Sequence, residues 1–518
     1  MKQYKLLSLL AGVSLMAFTS CDLEEMPTTD IGFDNNEEAV INGTNIQQFE
    51  NGLYSAFRAT QYGVYSLVPD LICDGFNETV NSGNFYGPVH RTDASFTASD
   101  QDVESIWSGY YGYMVDYNNF INDGYVMEQE AELQKLMQGD QNASPDAYAI
   151  RGLGVVHFFR AYTYMQLARL FAKDYEPSTA ATDLCVPLVL KYNQEEKPAR
   201  ATVQQVYDQI KKDLDAAYVY IGAVGVNGQV GSEAVTIDAV NALYARYYLD
   251  THDYPMAAQY AKDVLGSAAR YKLASKPDEM AMEYTYDQGT EPIFQMSASL
   301  AENGSGTNSA YINGSSYPYV PEGFYLAPYY MPSGKLLAMY EGTDLRLAQW
   351  FNDTHVFRYG SSLATDIPIF VKYYGDPNAG LNNSIVPNGR QHVKPFMIGE
   401  MYLILAEASL QANDPTTAAQ ALNELQTKRG ATPTAATMEN IQDEWFKETV
   451  GEGLRYSCMK RWHIGFSGRP AVYPGEGIVP EGTSNTQKEM PADDDHWLLP
   501  IPAYERQLND NLEQNPGY

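Results

Sequence analysis

Two loop-like stretches of this sequence combine aromatic rings with amide and charged side chains. The first runs from Asn77 to Arg91 and the second from Asn303 to Tyr330. Flat rings stack on the apolar faces of sugars, and amides or charged tips bind sugar hydroxyls, so this mix is typical of a sugar-binding surface. Asn-Gly pairs also form turns, which leaves a structural interpretation open for each residue. The candidate ligand-binding residues are Asn77, Asn81, Asn84, Phe85, Tyr86, His90, Arg91, Asn308, Tyr311, Asn313, Tyr317, Tyr319 and Tyr325.

The sequence carries no pattern typical of a catalytic, metal or cofactor site. Its seven histidines form no HxxxH pair, and it has no GxSxG motif and no phosphate-binding loop. Because Asp and Glu number 65, a pair at glycosidase spacing is expected by chance. The run Asp493 to Asp495 offers oxygens to a hard cation, but a solvated acidic loop is the preferred interpretation. We therefore expect no enzyme activity, no metal and no cofactor.

The N-terminus is typical of a secreted lipoprotein. Lys2 and Lys5 precede an apolar stretch from Leu6 to Phe18 that is too short to span a bilayer. Small residues directly before Cys21 resemble a lipobox, although Phe18 stands where Leu is usual. We expect residues 1–20 to be a signal peptide and Cys21 to be acylated and to anchor the chain without a spanning helix. The alternative is an ordinary signal peptide with an incidental cysteine.

The composition is acidic and rich in tyrosine. Lys+Arg 34 against Asp+Glu 65 gives a net charge of -31 over 518 residues, which excludes nucleic acid as a partner but not a neutral ligand. Tyr (41) outnumbers Phe (19), and tyrosine suits wet surfaces on which a ligand stacks. For any single tyrosine, a core position remains the preferred interpretation. No cysteine lies in a CxxC motif or a Cys/His cluster. We therefore predict buried thiols at Cys73, Cys185 and Cys458.

Helices must position these loops, and the longest predicted helix runs from Ala149 to Tyr175. Its apolar residues cover most of its circumference, so it needs neighbours on two sides. At about 1.5 Å per residue it spans roughly 40 Å, which suits a layered helical stack. The stretch Ser144 to Asp146 offers a cap, and Thr202 with Gln205 forms a capping box for the next helix.

An internal repeat predicts further helical pairs. Ala245, Leu249, Asp253 and the run Ala257 to Gln259 recur at one constant offset in the segment Ala406 to Gln420. Each copy reads as a helix, a turn carrying Asp, and a second Ala-rich helix, as in a tetratricopeptide unit. The long helix and its successor form another pair, and helices over 46–60 and 106–121 form a fourth.

The predicted organisation is one mostly α domain over 46–518, preceded by an acidic tether over 21–45. Helices occupy about 46–270 and 393–463, and the tail 464–518 is irregular. The remaining stretch, about 271–392, is an irregular insertion with short β-like runs, and insertions of this size in repeat arrays often bind ligands. Stretches 398–430 and 439–462 are predicted helical, and 74–88 a loop.

Motifs along most of the chain resemble those of one family. They are the lipobox of Cys21 with acidic residues after it, His157 to Tyr162, Glu400 to Ala408, Gly453 to Tyr456 with Lys460 to Trp462, and Leu498 to Pro502 with Gln514 to Tyr518. In these motifs the sequence resembles the SusD/RagB family of surface glycan-binding lipoproteins of Gram-negative bacteria.

The resemblance implies a right-handed superhelix of about four tetratricopeptide-like units with an irregular ligand face. It implies an outer-membrane lipoprotein, anchored through Cys21 and facing outwards, that delivers an oligosaccharide to a SusC-like, TonB-dependent transporter. In the family the ligand lies between the equivalents of the two loops. The RagB side of the family implies a peptide ligand as the alternative; a helical glycoside hydrolase and a tetratricopeptide scaffold are further alternatives.

Overall fold

The fold is mostly α-helical, with a loop-rich insertion that carries short strands, as expected from the sequence. The computed structural model describes residues 41–266, 270–297, 310–376, 391–472 and 477–518. The signal peptide, Cys21, most of the tether and Asn308 lie outside the described residues. None of the helices within those ranges combines the length and apolar character needed to cross a membrane.

From residue 41 onwards, the described N-terminal third contains six helices and one short strand. Two features differ from the sequence-based expectation. The predicted loop 74–88 contains a strand and the start of a short helix. A helix over 124–137 was not predicted, because only Val126 and Leu133 are buried and its apolar periodicity is therefore weak. The elements are α1 (Ile46–Ala59), α2 (Val64–Leu71), β1 (Phe76–Glu78), α3 (Gly87–Arg91), α4 (Gln101–Ile121), α5 (Gly124–Met137) and α6 (Ala147–Phe171).

The long helix α6 is the centre of this part of the fold. It begins after Asp146, whose carboxylate accepts a hydrogen bond from the backbone N–H of Tyr148. Its residues are buried on nearly all sides, and the ring of Phe159 stacks on Phe57 of α1 at 4.1 Å between ring centroids. The helix ends at Phe171, four residues before the predicted end, because Ala172 adopts an extended conformation.

Three further helices follow α6 before the insertion. The capping box predicted for the first of them is confirmed: the Gln205 N–H donates to the Thr202 hydroxyl at 3.2 Å, and the Thr202 N–H donates to the Gln205 side chain at 2.9 Å. This helix packs along α6. The elements are α7 (Val203–Ala223), α8 (Ile237–Asp250) and α9 (Tyr254–Gly266).

The described part of the insertion contains short strands, as predicted, and three short helices that were not predicted; the predicted β-like run 292–296 is confirmed as a strand. One sheet has the strand order β3-β4-β7-β8, and two-stranded pairs join β1 to β5, β6 to β9 and β2 to β10. Within the predicted β-like run 367–373, only two residues form a strand. The elements are α10 (Pro277–Tyr284), β2 (Pro292–Met296), β3 (Gly314–Ser316), β4 (Phe324–Leu326), β5 (Tyr330–Pro332), α11 (Gly334–Ala338), α12 (Leu345–Trp350), β6 (Phe351–Asn352), β7 (Phe357–Tyr359), β8 (Ser362–Ala364), β9 (Ile369–Phe370) and β10 (Val393–Met397).

The C-terminal part returns to helices. The predicted helix 439–462 is two helices, because Gly451 and Gly453 have φ of 81° and 72° between them. A side chain on Gly451 would also approach the Phe370 ring to 2.7 Å. The elements are α13 (Ile398–Gln411), α14 (Pro415–Lys428), α15 (Met438–Thr449), α16 (Arg455–Arg461), β11 (Phe466–Ser467), β12 (Glu489–Met490), a 3₁₀ turn (Asp495–Trp497) and α17 (Ala503–Leu508).

The two copies of the sequence repeat lie side by side. They form the pairs α8/α9 and α13/α14, and α9 packs directly against α13. The insertion therefore connects two helical pairs, α8/α9 and α13/α14, that are neighbours in the helical stack. The predicted fourth pair, α1 and α4, is in contact, but both helices pack mainly on α6. The helical core and the insertion core form separate hydrophobic clusters. Among the described residues, Cys73, Cys185 and Cys458 are buried free thiols, as predicted.

Candidate ligand-binding face

Strand pairing brings the two candidate loops together. Strand β1 of the first loop pairs antiparallel with β5 at the end of the second, with Phe76 opposite Pro332. Beyond this pair, the N–H of Thr79 donates to the carbonyl of Tyr329 at 2.9 Å. This pairing could not be predicted from the sequence, since more than two hundred residues separate the two strands.

Three candidate residues are buried and cannot form part of a surface for a ligand. The Asn77 amide donates to the Arg469 carbonyl at 2.6 Å, and Tyr311 is 1% exposed, with its ring against Phe76. The Nδ1 of His90 donates to the Leu71 carbonyl at 2.8 Å. Burial and the neighbouring Arg469 hold the pKa of His90 well below its usual range, so this imidazole is neutral. For these residues the prediction of ligand contact is wrong, because each fills a structural position in the core.

Three further candidates have polar partners within the protein. Arg91 forms an ion pair with Glu78 at 3.1 Å and donates to the Asn84 side chain at 2.6 Å. The Asn313 amide donates to the Ala327 carbonyl at 3.0 Å. Both asparagines have positive φ, a conformation that asparagine tolerates better than most residues. Turn formation, the alternative left open by the sequence, accounts for these two asparagines.

The rings of Phe85 and Tyr86 contact each other next to the β1–β5 strand pair. Their ring centroids are 4.4 Å apart in an edge-on arrangement, and Phe85 also lies 5.0 Å from the Tyr329 ring. Phe85 is 37% exposed, whereas Tyr86 is half-buried against both hydrophobic clusters. Phe85 is therefore the more accessible of the two rings.

Asn81 ties the first loop to the sheet of the insertion. Its Nδ2 donates to the Arg358 carbonyl at 2.7 Å, and its Oδ1 accepts from the Gly360 N–H at 3.2 Å. Both partners lie in or next to the β7–β8 hairpin. The amide of Asn81 thus connects the first loop to this hairpin, and its role in this structure is to position the loop.

Three tyrosines gather on the adjoining sheet. The Tyr317 ring lies 5.3 Å from Tyr319 and 5.6 Å from Tyr325, measured between ring centroids. The Arg358 guanidinium lies over the Tyr325 ring at 4.9 Å, and its Nη1 donates to the Tyr325 hydroxyl. Tyr319 is 83% exposed, while Tyr317 and Tyr325 are half-buried. We call these four residues, Tyr317, Tyr319, Tyr325 and Arg358, the tyrosine face.

The sequence did not identify Arg358 as a member of this face. It lies in β7, which pairs in parallel with β4 through Leu326 and Phe357 and so places Arg358 beside Tyr325. The only local signal is an arginine next to a tyrosine in a short run that ends at Gly360. That run lies about thirty residues from the tyrosines, and no periodic pattern connects the two segments.

Arg358 is the charged member of the tyrosine face, and the three tyrosines are neutral. Arg91 is neutralised by Glu78, and the buried Lys394 forms an ion pair with Asp287. His355 pairs with Glu322 at 2.9 Å near the sheet. Arg358 donates its Nε to the Gly360 carbonyl at 3.0 Å, and its Nη2 has no hydrogen-bond partner among the residues that the structure describes. This group can therefore donate to a ligand.

Other concave sites exist in the described part of the molecule, among them a shallow depression of about 700 Å³ along α14 between Pro415 and Thr427, which no aromatic residue lines. A narrow cavity is a further concave alternative. It is bordered by Arg58, Tyr62, Tyr65 and His392, and its volume is about 100 Å³. Pockets that enclose drug-sized ligands are several times larger, roughly 300–1,000 Å³. A chain of sugars would not fit in this cavity, whereas the open tyrosine face sets no limit on ligand length.

Two family models match separate parts of the chain. One, described as "SusD family", matches residues 381–518. The other, described as "Starch-binding associating with outer membrane", matches residues 38–249. A SusD-like protein of Formosa agariphila is 24% identical over 559 residues, and the match covers 100% of both chains.

Solved structures share this fold. A SusD superfamily protein from Bacteroides thetaiotaomicron has a TM-score of 0.72 at 23% identity, covering 92% of this chain and 100% of its own. A surface glycan-binding protein A from Bacteroides fluxus has a TM-score of 0.67 at 20% identity, with coverage of 92% and 100%. At these identities the likeness concerns the fold.

Proposed function

The chain belongs to the SusD/RagB family, and we propose that it binds carbohydrate at the outer membrane through the tyrosine face. The observation that carries the proposal is the exposure of Tyr319, whose ring is 83% accessible beside two further tyrosines. Tyr319 lies in the turn between β3 and β4, where its exposed ring contributes little packing, so its position beside Tyr317 favours contact with a ligand.

The chemistry of this face suits a neutral oligosaccharide. Tyrosine rings offer flat apolar surfaces to sugar rings, and their hydroxyls stay hydrated. The Nη2 of Arg358 donates to sugar hydroxyls without needing a charged ligand. Since Arg91 and Lys394 already have acidic partners, Arg358 is the cation to test if the ligand is anionic. Of the original candidates, Phe85, Tyr317, Tyr319 and Tyr325 remain in the proposal as contact residues, and Asn81 and Tyr86 as supports.

An array of immobilised oligosaccharides and extended peptides tests the proposal on the full chain. We expect retention on neutral oligosaccharides, loss of retention for Tyr319→Ala, and no change for Tyr504→Ala, which removes another exposed tyrosine on α17. Retention of both variants on the same sugars would reject the tyrosine face. Release of reducing sugar by the purified chain would instead favour the glycoside hydrolase alternative.

A peptide ligand is the second candidate, and the sheet edges favour it. Strands β3 and β8 form the two edges of the four-stranded sheet, and both are largely exposed. An extended peptide adds to such an edge through backbone hydrogen bonds. Because the N–H of Ser316 faces the free edge of β3, Ser316→Pro should decrease peptide binding at that edge while sugar stacking on Tyr319 persists.

The proposal includes an extracellular, lipid-anchored location and delivery of the ligand to a SusC-like, TonB-dependent transporter. The family membership and the lipobox-like sequence at Cys21 support it. Delivery predicts that cells lacking this chain take up the bound oligosaccharide more slowly at limiting concentration. Equal uptake with and without the chain would contradict delivery while leaving binding intact.

The anchor makes a separate prediction. Cys21→Ala should leave the protein folded and release it from the membrane fraction, because no described helix can span a bilayer. Fractionation of cells without the transporter is the measurement. Persistence of the variant in the membrane fraction would contradict anchoring through Cys21.

A further inference from the structure

Two histidines and two carboxylates meet at the end of α6, outside the tyrosine face. Asp174 and Glu176 follow α6, His252 lies in the turn between α8 and α9, and His463 follows α16. One potential ligand atom each from Asp174, Glu176 and His252 lie within 4.8 Å of one another. We call the four residues Asp174, Glu176, His252 and His463 the His/carboxylate cluster.

The distances from His463 fit donors around one ion. Its Nε2 lies 2.9 Å from a Glu176 carboxylate oxygen and 3.4 Å from the Asp174 Oδ2. Two donors bound to one zinc ion at about 2.0–2.2 Å are themselves roughly 3.0–3.5 Å apart. An ordinary ion pair explains the contacts of His463 alone, but it does not explain why His252 faces the same carboxylates.

Two polar atoms in the cluster lack the hydrogen bonds that buried atoms usually have. The Nε2 of His252 and the Oδ2 of Asp174 are buried, and neither has a hydrogen-bond partner within the described ranges. Such orphaned atoms are uncommon in native structures and call for a partner. The Tyr254 ring stacks on the His252 imidazole at 5.7 Å between centroids, which restricts the orientation of the histidine.

The charges of the cluster match a divalent cation. Metal ligation requires neutral imidazoles, and with these the two carboxylates give the cluster a net charge of -2. The nearest lysine, Lys460, is held by backbone carbonyls: its Nζ donates to Arg169 at 2.6 Å and to Ala172 at 2.5 Å. Lys173 is paired with Asp183 at 2.9 Å. Both lysines have other partners, and His463, whose side chain is 58% exposed, leaves a path for an ion.

We propose that the His/carboxylate cluster binds Zn²⁺. Imidazole nitrogens favour zinc and its first-row neighbours, whereas calcium and magnesium prefer sites made of oxygen atoms. The ion would join three segments that are remote in sequence, namely the end of α6, the α8–α9 turn and the end of α16. The proposal does not depend on sugar binding, because none of these residues belongs to the tyrosine face.

Calorimetric titration of ZnCl₂ into the full chain, purified in detergent and freed of metal with EDTA, tests the proposal. His252→Asn and His463→Asn remove one imidazole each, and asparagine tolerates the positive φ of both positions, 61° and 50°. Glu176→Gln is a third, partly exposed variant in case an asparagine variant does not fold. His496→Asn is the matched control, since the Nδ1 of His496 pairs with Asp494 at 2.6 Å and neither residue belongs to the His/carboxylate cluster.

We expect one saturable site in the wild type, at least tenfold weaker binding in each cluster variant, and unchanged binding in His496→Asn. Excess CaCl₂ should not displace the zinc, because calcium disfavours imidazole ligands. The proposal is overturned if the wild type shows no saturable Zn²⁺ binding. It is equally overturned if the cluster variants that fold bind zinc as the wild type does, or if His496→Asn weakens binding to the same extent.

Discussion

Among single residues, Asp70 shows how burial changes a carboxyl group. It lies in α2, and its Oδ2 accepts a hydrogen bond from the Gly453 N–H at 3.1 Å. Burial, with a smaller contribution from Glu452, raises the pKa of Asp70 to about 7. The unfolded chain has an Asp pKa near about 3.9, so the folded state binds an extra proton between roughly pH 4 and pH 7. The free energy of unfolding therefore falls as pH rises through this window.

Asp70→Asn removes this pH dependence and keeps the acceptor for Gly453. We expect the variant to gain stability relative to the wild type as pH rises from about 4 to 7, by up to about 4 kcal/mol. Urea unfolding of both proteins across this range measures the difference. An identical pH dependence in the two proteins would show that Asp70 does not titrate in this window.

The candidate residues show which parts of a site a sequence can predict. Composition marked two stretches as candidates, and strand pairing joins them in the structure. Local composition does not report burial, so Asn77, His90 and Tyr311 were indistinguishable from exposed neighbours. Arg358 was missed for the complementary reason, because only the pairing of β4 with β7 brings it to Tyr325.

Among the elements, α6 depends most on its buried aromatic residues. Phe159 is completely buried and contacts the rings of Phe57 at 4.1 Å and Tyr54 at 5.1 Å. Phe159→Ala is expected to lower the free energy of unfolding by about 3–5 kcal/mol, because it leaves a cavity between α1 and α6. Tyr148→Ala, at a 43% exposed position in the first turn of α6, should cost less than about 1 kcal/mol. Equal losses in denaturant unfolding would contradict this packing.

The helices were predictable where their periodicity or caps were strong. The sequence repeat predicted the pairs α8/α9 and α13/α14, and the capping box predicted the start of α7. The break between α15 and α16 was missed because the apolar period continues across Gly451 and Gly453, and the glycine residues alone do not reveal their positive φ. The short strands of the insertion were mostly missed, because pairs of two or three residues depend on distant partners.

In the whole molecule, a buried ionic network connects the helical stack to the insertion. Glu448 of α15 accepts from Arg346 of α12 at 2.8 Å and from the Nη2 of Arg429, at the end of α14, at 2.5 Å. Burial alone would raise the pKa of Glu448, but Arg429 and Arg346 lower the pKa to about 2. Arg429 also pairs with Glu291 at 2.6 Å, next to β2. The network therefore spans the boundary between the two hydrophobic clusters.

Glu448→Gln leaves two buried guanidinium groups without a shared counter-charge. We expect it to lower the free energy of unfolding by about 3–5 kcal/mol at neutral pH. The wild type should lose this contribution as pH falls from about 4.5 towards 2, since Glu448 is then protonated. The control is Glu424→Gln, which breaks an exposed pair with Lys428 at 3.7 Å and should cost less than about 0.5 kcal/mol. Thermal unfolding in which both variants behave alike would contradict the role of the network.

The central claim for the whole molecule is that a neutral oligosaccharide stacks on the tyrosine face. The measurement is calorimetric titration of an oligosaccharide retained on the array into the wild type, Tyr319→Ala and the control Tyr504→Ala. A stacked ring contributes about 1–2 kcal/mol, so Tyr319→Ala should weaken binding on the order of tenfold. Its unfolding midpoint should stay unchanged, and wild-type affinity should vary little with salt, because stacking is not screened. If Tyr319→Ala and Tyr504→Ala both bind the oligosaccharide with wild-type affinity, the ligand binds elsewhere on the molecule. That result would contradict the account.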